Sequence, residues 1–300
     1  MLPEAKALQL IAIYYYVCEQ YETKLQYLVQ RFSNNNKPVF TDPEIMTIYL
    51  FAMRCEQRFR IRHLYDFADA YLRSWFPQLP TYQAFNNRLN RLSEAFKALA
   101  SDLLLSAQPA NNQAVYSLMD SLPIITCSGK RRAKVARELV DKGYCSTKSM
   151  YYHGLKLHLL GFGQVGKMPL PEQIIITEAS ENDLNVLRDE WSQVAGRTFY
   201  GDKIYKDKEL HAYMEKQHDS VVHTPVKAVK NMGDAERQRN RAADDLFSRA
   251  VSRLRQPVES LFNWLIEKTD IQRASKTRST KGLVLHVFAR IAAAFILLAS

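Results

Sequence analysis

The chain has 300 residues, which is enough for two domains or for one large one. Its 41 Lys and Arg exceed its 31 Asp and Glu, and the net charge of +10 favours nucleic acid or another anionic surface as partner. The four cysteines form no Cys-x-x-Cys pair, which argues against a zinc knuckle, and a long chain with few cysteines fits a reducing cytoplasm. The first residues show no signal-peptide pattern.

Residues 1–108 predict a helical domain, because Pro and Gly are sparse and apolar residues recur every three or four positions. Thr41-Asp-Pro-Glu44 is a capping box that begins one helix, and Thr81 can cap a later helix that runs through Leu104. The later helix carries Asn and Arg on a polar side. This pattern is typical of a helix-turn-helix module that binds DNA, and equally of a helical bundle with a solvated face.

From residue 109 the pattern changes to short apolar runs separated by helices. Strands are expected at Val115–Met119, within 143–166, at Gln173–Thr177, Thr198–Tyr200 and Ser220–Thr224, and helices at 182–194, 206–216 and from Phe247 onward. The order of strands and helices predicts an α/β domain over 109–300, with a mixed sheet flanked by helices as in the ribonuclease H-like fold. A charged insertion is expected near 225–245.

Three acids follow or lie within apolar segments: Asp120 and Asp202 after strand-like runs, and Glu259 in a helix-like run. A carboxylate at the end of a buried strand is costly unless a cation meets it. In a basic chain, three such acids suggest a divalent-metal site that acts on a polyanion. Each acid also has a local explanation: Asp120 and Asp202 could serve turns, and Glu259 could be a helix N-terminal acid just after Pro257.

Basic residues cluster near the acids. Lys130, Arg131 and Arg132 follow the first acid, and Arg255 precedes the third. A further run, from Arg273 to Lys281, holds four cations and no acid. Such clusters bind the phosphate backbone of nucleic acid, although each alone could be a solvated face.

The segment Leu283–Leu298 is very apolar but contains His286 and Arg290, and it is shorter than the roughly 20 residues that a membrane-spanning helix needs. We therefore expect a buried helix that closes the core, and no membrane partner.

Five short motifs occur in the order in which one known group of proteins has them. They are Asp120-Ser-Leu-Pro-Ile-Ile-Thr-Cys127, Tyr152-His-Gly-Leu-Lys156-Leu-His-Leu, Ala179-Ser-Glu-Asn-Asp183, Tyr200-Gly-Asp202-Lys-Ile-Tyr205 and Val258-Glu259-Ser-Leu-Phe262. With them the sequence resembles the DDE transposases of bacterial insertion sequences, and most closely the insertion-sequence 982 family. Ile204 departs from that family's usual Gly.

Arg255 lies four residues before Glu259, as in a Tyr-Arg-Glu-Lys signature of related transposases. Ser252 and Ile266 stand at the Tyr and Lys positions of that signature, with Lys268 nearby.

The resemblance implies a transposase that cuts and joins DNA at the terminal inverted repeats of a mobile element. It implies that Asp120, Asp202 and Glu259 hold two Mg²⁺ ions, for which Mn²⁺ can substitute. The basic clusters and the resemblance together predict DNA contacts from Lys130, Arg131, Arg132, Lys156, Lys203, Arg255, Lys268 and Arg273.

The N-terminal helices would bind the element ends, a homodimer would join two ends, and the location would be the bacterial cytoplasm, at the nucleoid. The alternatives are a non-catalytic DNA-binding protein derived from a transposase and a general ribonuclease H-like nuclease.

Overall fold

The computed structural model describes residues 2–31, 38–108, 116–164, 166–226 and 234–298. Contacts between Cα atoms divide the chain into two units. Unit 1 comprises Met1–Ala107, Lys134–Glu138 and Leu265–Ser300, and unit 2 comprises Gln108–Ala133 and Leu139–Trp264. The C-terminal segment thus belongs with the N-terminal helices, whereas the sequence-based limits of 1–108 and 109–300 had assigned it to the α/β domain.

Unit 1 is built from helices in the part that the structure describes. They are α1 (Glu4–Gln20), a π-helical turn (Tyr21–Leu25), α2 (Gln26–Leu28), α3 (Asp42–Glu56), α4 (Ile61–Tyr71), α5 (Tyr82–Arg91), α6 (Ser93–Ser106) and α10 (Thr280–Leu298). The helix predicted from Thr81 to Leu104 is two helices, because the backbone leaves helical geometry at Leu92.

The start of α3 is fixed by the predicted capping box. The Thr41 hydroxyl accepts a hydrogen bond from the Glu44 N–H, and the Glu44 carboxylate accepts one from the Thr41 N–H. Asp42, in the first turn, is buried and pairs with Arg31 and with Arg88 of α5. Arg88 therefore does not belong to a solvated face, because its guanidinium neutralises a buried carboxylate.

Helix α10 is long and apolar enough to cross a membrane by length and composition, but 67% of that window is buried. It packs against α3, α5 and α6 of its own unit. Its polar residues have internal partners: the Arg290 guanidinium donates to the carbonyls of Phe59 and Thr269, and the His286 imidazole bonds the Ile271 carbonyl. The buried helix expected from the sequence is present.

Unit 2 contains one six-stranded mixed sheet in the order β2-β3-β1-β5-β6, with β4 also paired to β3. The strands are β1 (Tyr116–Ser128), β2 (Asp141–Cys145), β3 (Met150–Phe162), β4 (Leu170–Glu178), β5 (Thr198–Tyr200) and β6 (Val221–His223). β1 and β3 are antiparallel, whereas β5 is parallel to both β1 and β6. The mixed α/β class predicted from the sequence is confirmed.

Strand β1 is longer than predicted and continues past Asp120 to Ser128. Pro123 lies within it, at a point where β3 is the remaining ladder partner because the pairing with β5 ends at Leu118. A strand with one open edge accommodates a proline, whose missing N–H costs no ladder bond there. Asp120 thus lies in the middle of a strand, and its predicted role in a turn is wrong. Val115 lies outside the described residues.

The helices of unit 2 are α7 (Asp183–Val186), followed by a π-helical turn (Leu187–Trp191), α8 (Lys208–His218), and α9 (Asp234–Thr269) up to Trp264. One side of the sheet packs on α7 and α8 through a core that includes Met119, Leu160, Trp191 and Phe199. Residues 227–233 of the predicted charged insertion lie outside the described residues, and from Asp234 onward the segment is helical.

Candidate metal and nucleic-acid site

Two of the three predicted acids lie equally far beyond one pair of residues on neighbouring parallel strands, Asp120 within β1 and Asp202 just after the end of β5. Leu118 of β1 is paired with Tyr200 of β5, so Asp120 and Asp202 each lie two residues beyond that pair. Asp202 begins a 3₁₀ turn and accepts a hydrogen bond of 2.7 Å from the Lys203 N–H. The local role expected for Asp202 in a turn therefore exists, and it leaves the second carboxylate oxygen outside that hydrogen bond.

The Asp120 carboxylate is largely buried, with a side-chain exposure of 21%. It accepts a hydrogen bond of 2.8 Å from the Ser121 N–H and one of 2.5 Å from Nη1 of Arg255. Burial raises the pKa of Asp120 to about 6; Arg255 lowers it, and Asp183 and Asp202 raise it further. The pKa of Asp120 is thus close to neutral pH. A bound metal cation would favour the ionised form of the carboxyl group.

The third acid reaches the same place from a helix. Glu259 lies on α9 and is about half exposed, and its Oε1 is 2.6 Å from Nη2 of Arg255, one turn earlier. Because Arg255 also contacts Asp120, one guanidinium joins β1 to α9. The alternative role of Glu259 as a helix N-terminal acid is wrong, since α9 begins at Asp234 and continues through Pro257.

A fourth acid, Asp183 at the start of α7, lies beside Asp120. Its Oδ1 is 2.9 Å from Lys156 Nζ, and its Oδ2 accepts a hydrogen bond of 2.9 Å from the Ser121 hydroxyl. Ser121 therefore links the two acids, donating from its backbone to Asp120 and from its side chain to Asp183. The sequence analysis noted Asp183 within a motif but did not place it at the site.

His158 borders the same cluster and is fully buried on β3. Burial is the main cause that lowers the pKa of His158 to about 4, so the imidazole is neutral at pH 7. Its Nε2 lies 2.8 Å from the Thr177 hydroxyl, and its Nδ1 faces Asp183 at 3.6 Å. Lys156 and His158 interrupt an otherwise apolar strand, and that pattern was the signal for a buried acid partner.

Tyr205 lies near three of the acids. Its side chain is fully buried, and burial, followed by Asp183, Asp120 and Asp202, raises its pKa well above the usual value. Within the described part of the chain its hydroxyl has no hydrogen-bond partner. A buried hydroxyl near three carboxylates is a donor that a water or a substrate oxygen can use.

The predicted basic residues occupy different surroundings. Lys130, Arg131, Arg132 and Lys203 are exposed in unit 2, whereas Lys156 is 15% exposed and bound to Asp183. Arg255 directs Nη1 and Nη2 of its guanidinium to acids. Lys268 and Arg273 belong to unit 1, where they pair with Glu267 and Asp270. Their predicted roles in DNA binding stay predictions.

The donor set has the chemistry that Mg²⁺ requires, because carboxylate oxygens from separate elements are its usual protein ligands. Among the described residues, no three His, Cys, Asp or Glu side chains lie close enough to hold one ion together. The cation that joins Asp120 and Glu259 here is Arg255. The residue types fit the metal, and Glu259, being exposed on a helix, is the acid free to change rotamer.

A family model gives the class to which these features belong. Residues 115–296 match the model of the transposase DDE domain, a stretch that contains all four acids and spans more than half of the chain. The chain therefore belongs to the transposase DDE-domain family, whose substrates are DNA. No curated protein and no solved structure matches it.

Proposed function

We propose that the protein is an active DDE transposase that cleaves DNA at the terminal inverted repeats of an insertion sequence and joins the ends to target DNA. The observation that carries the proposal is the contact of one guanidinium, that of Arg255, with two of the three acids. These two acids are Asp120 of β1 and Glu259 of α9. Asp202, just after the end of β5, lies as many residues beyond the Leu118–Tyr200 pair as Asp120 does. The sheet order and the helix that carries the third acid support a ribonuclease H-like arrangement.

Asp120, Asp202 and Glu259 are the residues that would hold two Mg²⁺ ions, or Mn²⁺ in their place. When bound, such a pair activates the attacking oxygen and stabilises the leaving one. The chain's own groups prepare the site: the Ser121 N–H orients Asp120, the Lys203 N–H orients Asp202, and Tyr205 offers a buried hydroxyl. Arg255 limits the repulsion between Asp120 and Glu259.

The DNA contacts in this proposal come from the predicted basic residues, with Lys130, Arg131, Arg132 and Lys203 as the exposed ones of unit 2. Lys156, Lys268 and Arg273 complete the predicted set. A homodimer would bring two element ends together, and the helices of unit 1 would bind these ends. Transposition would take place on the bacterial nucleoid in the cytoplasm. Within the transposase DDE-domain family, we propose that the protein belongs to the insertion-sequence 982 group that its motifs resemble.

The test is cleavage of a duplex that carries the inverted repeats flanking the reading frame, with and without Mg²⁺. We expect Asp120→Asn, Asp202→Asn and Glu259→Gln each to abolish cleavage while duplex binding persists. Glu215→Gln, an exposed acid on α8, is the matched control and should cleave as the wild type does.

Three outcomes would contradict the proposal. Cleavage by any one acid variant at the wild-type rate would remove that acid from the site. Binding without cleavage by the wild type would favour a non-catalytic DNA-binding protein, and equal cutting of random duplexes would favour a general nuclease.

A further inference from the structure

An aromatic and basic surface lies at the sheet edge formed by β2 and β3, away from the acids. Tyr144 and Tyr151 are directly paired across the two strands, and their side chains are exposed by 53% and 59%. Their ring centroids are 5.0 Å apart at an interplanar angle of 59°. The alternate positions Gly143, Cys145 and Tyr152 are buried, so the pleat directs both rings to solvent. We call Lys142, Tyr144 and Tyr151 the hairpin surface.

Cations surround this surface. Lys142 Nζ lies 5.0 Å from the centre of the Tyr151 ring. The Gly129 N–H donates a hydrogen bond of 2.8 Å to the Tyr151 carbonyl. The turn that carries Lys130, Arg131 and Arg132 therefore begins directly beside Tyr151. Residues 129–133 and 142–153 contain five Lys or Arg and no Asp or Glu. The adjacent acid Asp141 accepts a hydrogen bond from the Ser180 N–H.

The hairpin surface shares a face of the sheet with Asp120. β3 is regular between Tyr151 and Leu159, which are separated by an even number of residues and so point to the same side. Leu159 is the direct partner of Asp120. Eight residues of strand span roughly 27 Å, the rise of about eight nucleotides along one DNA strand.

We propose that the hairpin surface binds unpaired nucleotides of the DNA substrate, with bases stacked on Tyr144 and Tyr151 and phosphates held by Lys142 and the 130–132 turn. Exposed aromatic rings among cations are the combination that binds single strands, because every base has a π-face and every nucleotide a phosphate. A blunt duplex keeps its bases stacked internally and has only the cations to engage. The inference rests on the proposed function, since it assumes DNA that is opened or tailed near the acids.

The test compares binding of a 15-nucleotide oligo-dT, a duplex with a 3′ tail of 12 nucleotides, and the same duplex with blunt ends. In the double variant Tyr144→Leu/Tyr151→Leu, which keeps apolar bulk but removes the π-faces, we expect affinity for oligo-dT and the tailed duplex to fall by about tenfold or more. Affinity for the blunt duplex should stay within about twofold. Tyr144→Phe/Tyr151→Phe should bind all three as the wild type does.

Two controls make the result specific. Tyr213→Leu, at an exposed tyrosine of α8 in the same unit, should change nothing. Lys130→Gln/Arg131→Gln/Arg132→Gln should weaken binding to all three probes and flatten its dependence on salt. Thermal unfolding of each variant establishes that the fold is retained, because a cross-strand tyrosine pair can also stabilise a hairpin.

Unchanged tail binding in the folded leucine variant, or an equal loss for tailed and blunt DNA, would overturn the inference. The result is separable from the proposed function. A wild type that binds tails through the tyrosines but cuts nothing with Mg²⁺ would refute the transposase activity alone, and a cutting enzyme with an unaffected leucine variant would refute the hairpin surface alone.

Discussion

Arg255 contacts two of the three acids with one guanidinium, and this arrangement keeps two carboxylates close despite their mutual repulsion. The sequence suggested a phosphate contact for this residue, by analogy with a related signature. The structure gives it acid partners within the protein. The Arg255 guanidinium therefore neutralises carboxylates that the sequence had assigned to metal binding.

The raised pKa of Asp120 predicts a stability effect that requires no metal. Its pKa is 3.8 as the reference value and about 6 in the folded protein, mainly because of burial. A raised carboxyl pKa contributes stability below about pH 4 and loses it as the pH rises through 6. In EDTA, the free energy of unfolding of the wild type should therefore fall between pH 4.5 and pH 7.5 relative to that of Asp120→Asn, by on the order of 2 kcal/mol.

Urea unfolding at the two pH values measures this difference. Asp189→Asn, at an exposed acid of the same unit, is the control and should show the pH dependence of the wild type. If the free energy of unfolding varied with pH in the same way for the wild type and Asp120→Asn, the pKa of Asp120 would not be raised in the folded protein.

At the scale of elements, the acids are held where strands and helices meet. Lys156 of β3 binds both the Asp183 carboxylate and the Glu181 carbonyl, at 2.9 and 2.6 Å, and so ties the start of α7 to the sheet. Ser121 of β1 completes the link to Asp183. These contacts hold the segment of β1 that carries Asp120 next to the start of α7.

Breaking this buried pair on one side should be costly. Asp183→Asn leaves the Lys156 ammonium without its counter-charge at 15% exposure, and a loss of about 3 kcal/mol in the free energy of unfolding is expected. The double variant Asp183→Asn/Lys156→Met should recover much of the loss, giving a clear coupling energy in a double-mutant cycle. Lys203→Met, exposed beside Asp202, serves as the control and should cost little.

The same cycle decides between two roles for Lys156. If its main partner were DNA, as the sequence analysis predicted, Lys156→Met would leave unfolding unchanged and weaken binding. Strong coupling to Asp183 would assign it to the framework of the site.

Helix α9 shows how one element can mislead a sequence reading. Pro257 lacks an N–H and is common in the first turn of a helix, which offered a helix N-terminus close to Glu259 as the alternative to the helix expected from Phe247 onward. In the structure the helix begins at Asp234 and continues through Pro257. Glu259 and Arg255 consequently lie one turn apart on a continuous helical face, which is the spacing that lets them pair.

At the scale of the whole molecule, unit 1 is assembled from three separate stretches of chain. α10 supplies a large share of its buried apolar surface and packs on α3, α5 and α6. Arg290 adds hydrogen bonds to carbonyls from two other segments. The N-terminal helices, which end at Ser106, are therefore expected to depend on a helix that begins only at Thr280.

Ending the chain at Ser279 tests this dependence. Without α10, the buried faces of α3 and α6 meet water, and we expect the N-terminal helices to lose their fold. Limited proteolysis should then cut within 4–106 while fragments from 116–264 persist longer than in the fully unfolded chain. Lys276→Gln in the full chain is the control. Equal protection of 4–106 with and without α10 would contradict the prediction.

The sequence alone determined the features that depend on neighbouring residues. The capping box at Thr41, the apolar helix α10, the α/β alternation and the three acids with their flanking motifs are all local patterns, and the family match includes the acids. These patterns are readable because helix caps, periodicity and short motifs act over a few residues.

Only the tertiary structure decided which charges meet. It paired Arg255 with Asp120 across 135 residues and Lys156 with Asp183 across 27, and it placed α10 with the N-terminal helices. No local pattern contains these partners, because the cost of burying a charge is met by whichever opposite charge the fold brings near. The acids of the site could be identified from the sequence, whereas the cationic side chains that pair with them were set by the packing of distant segments.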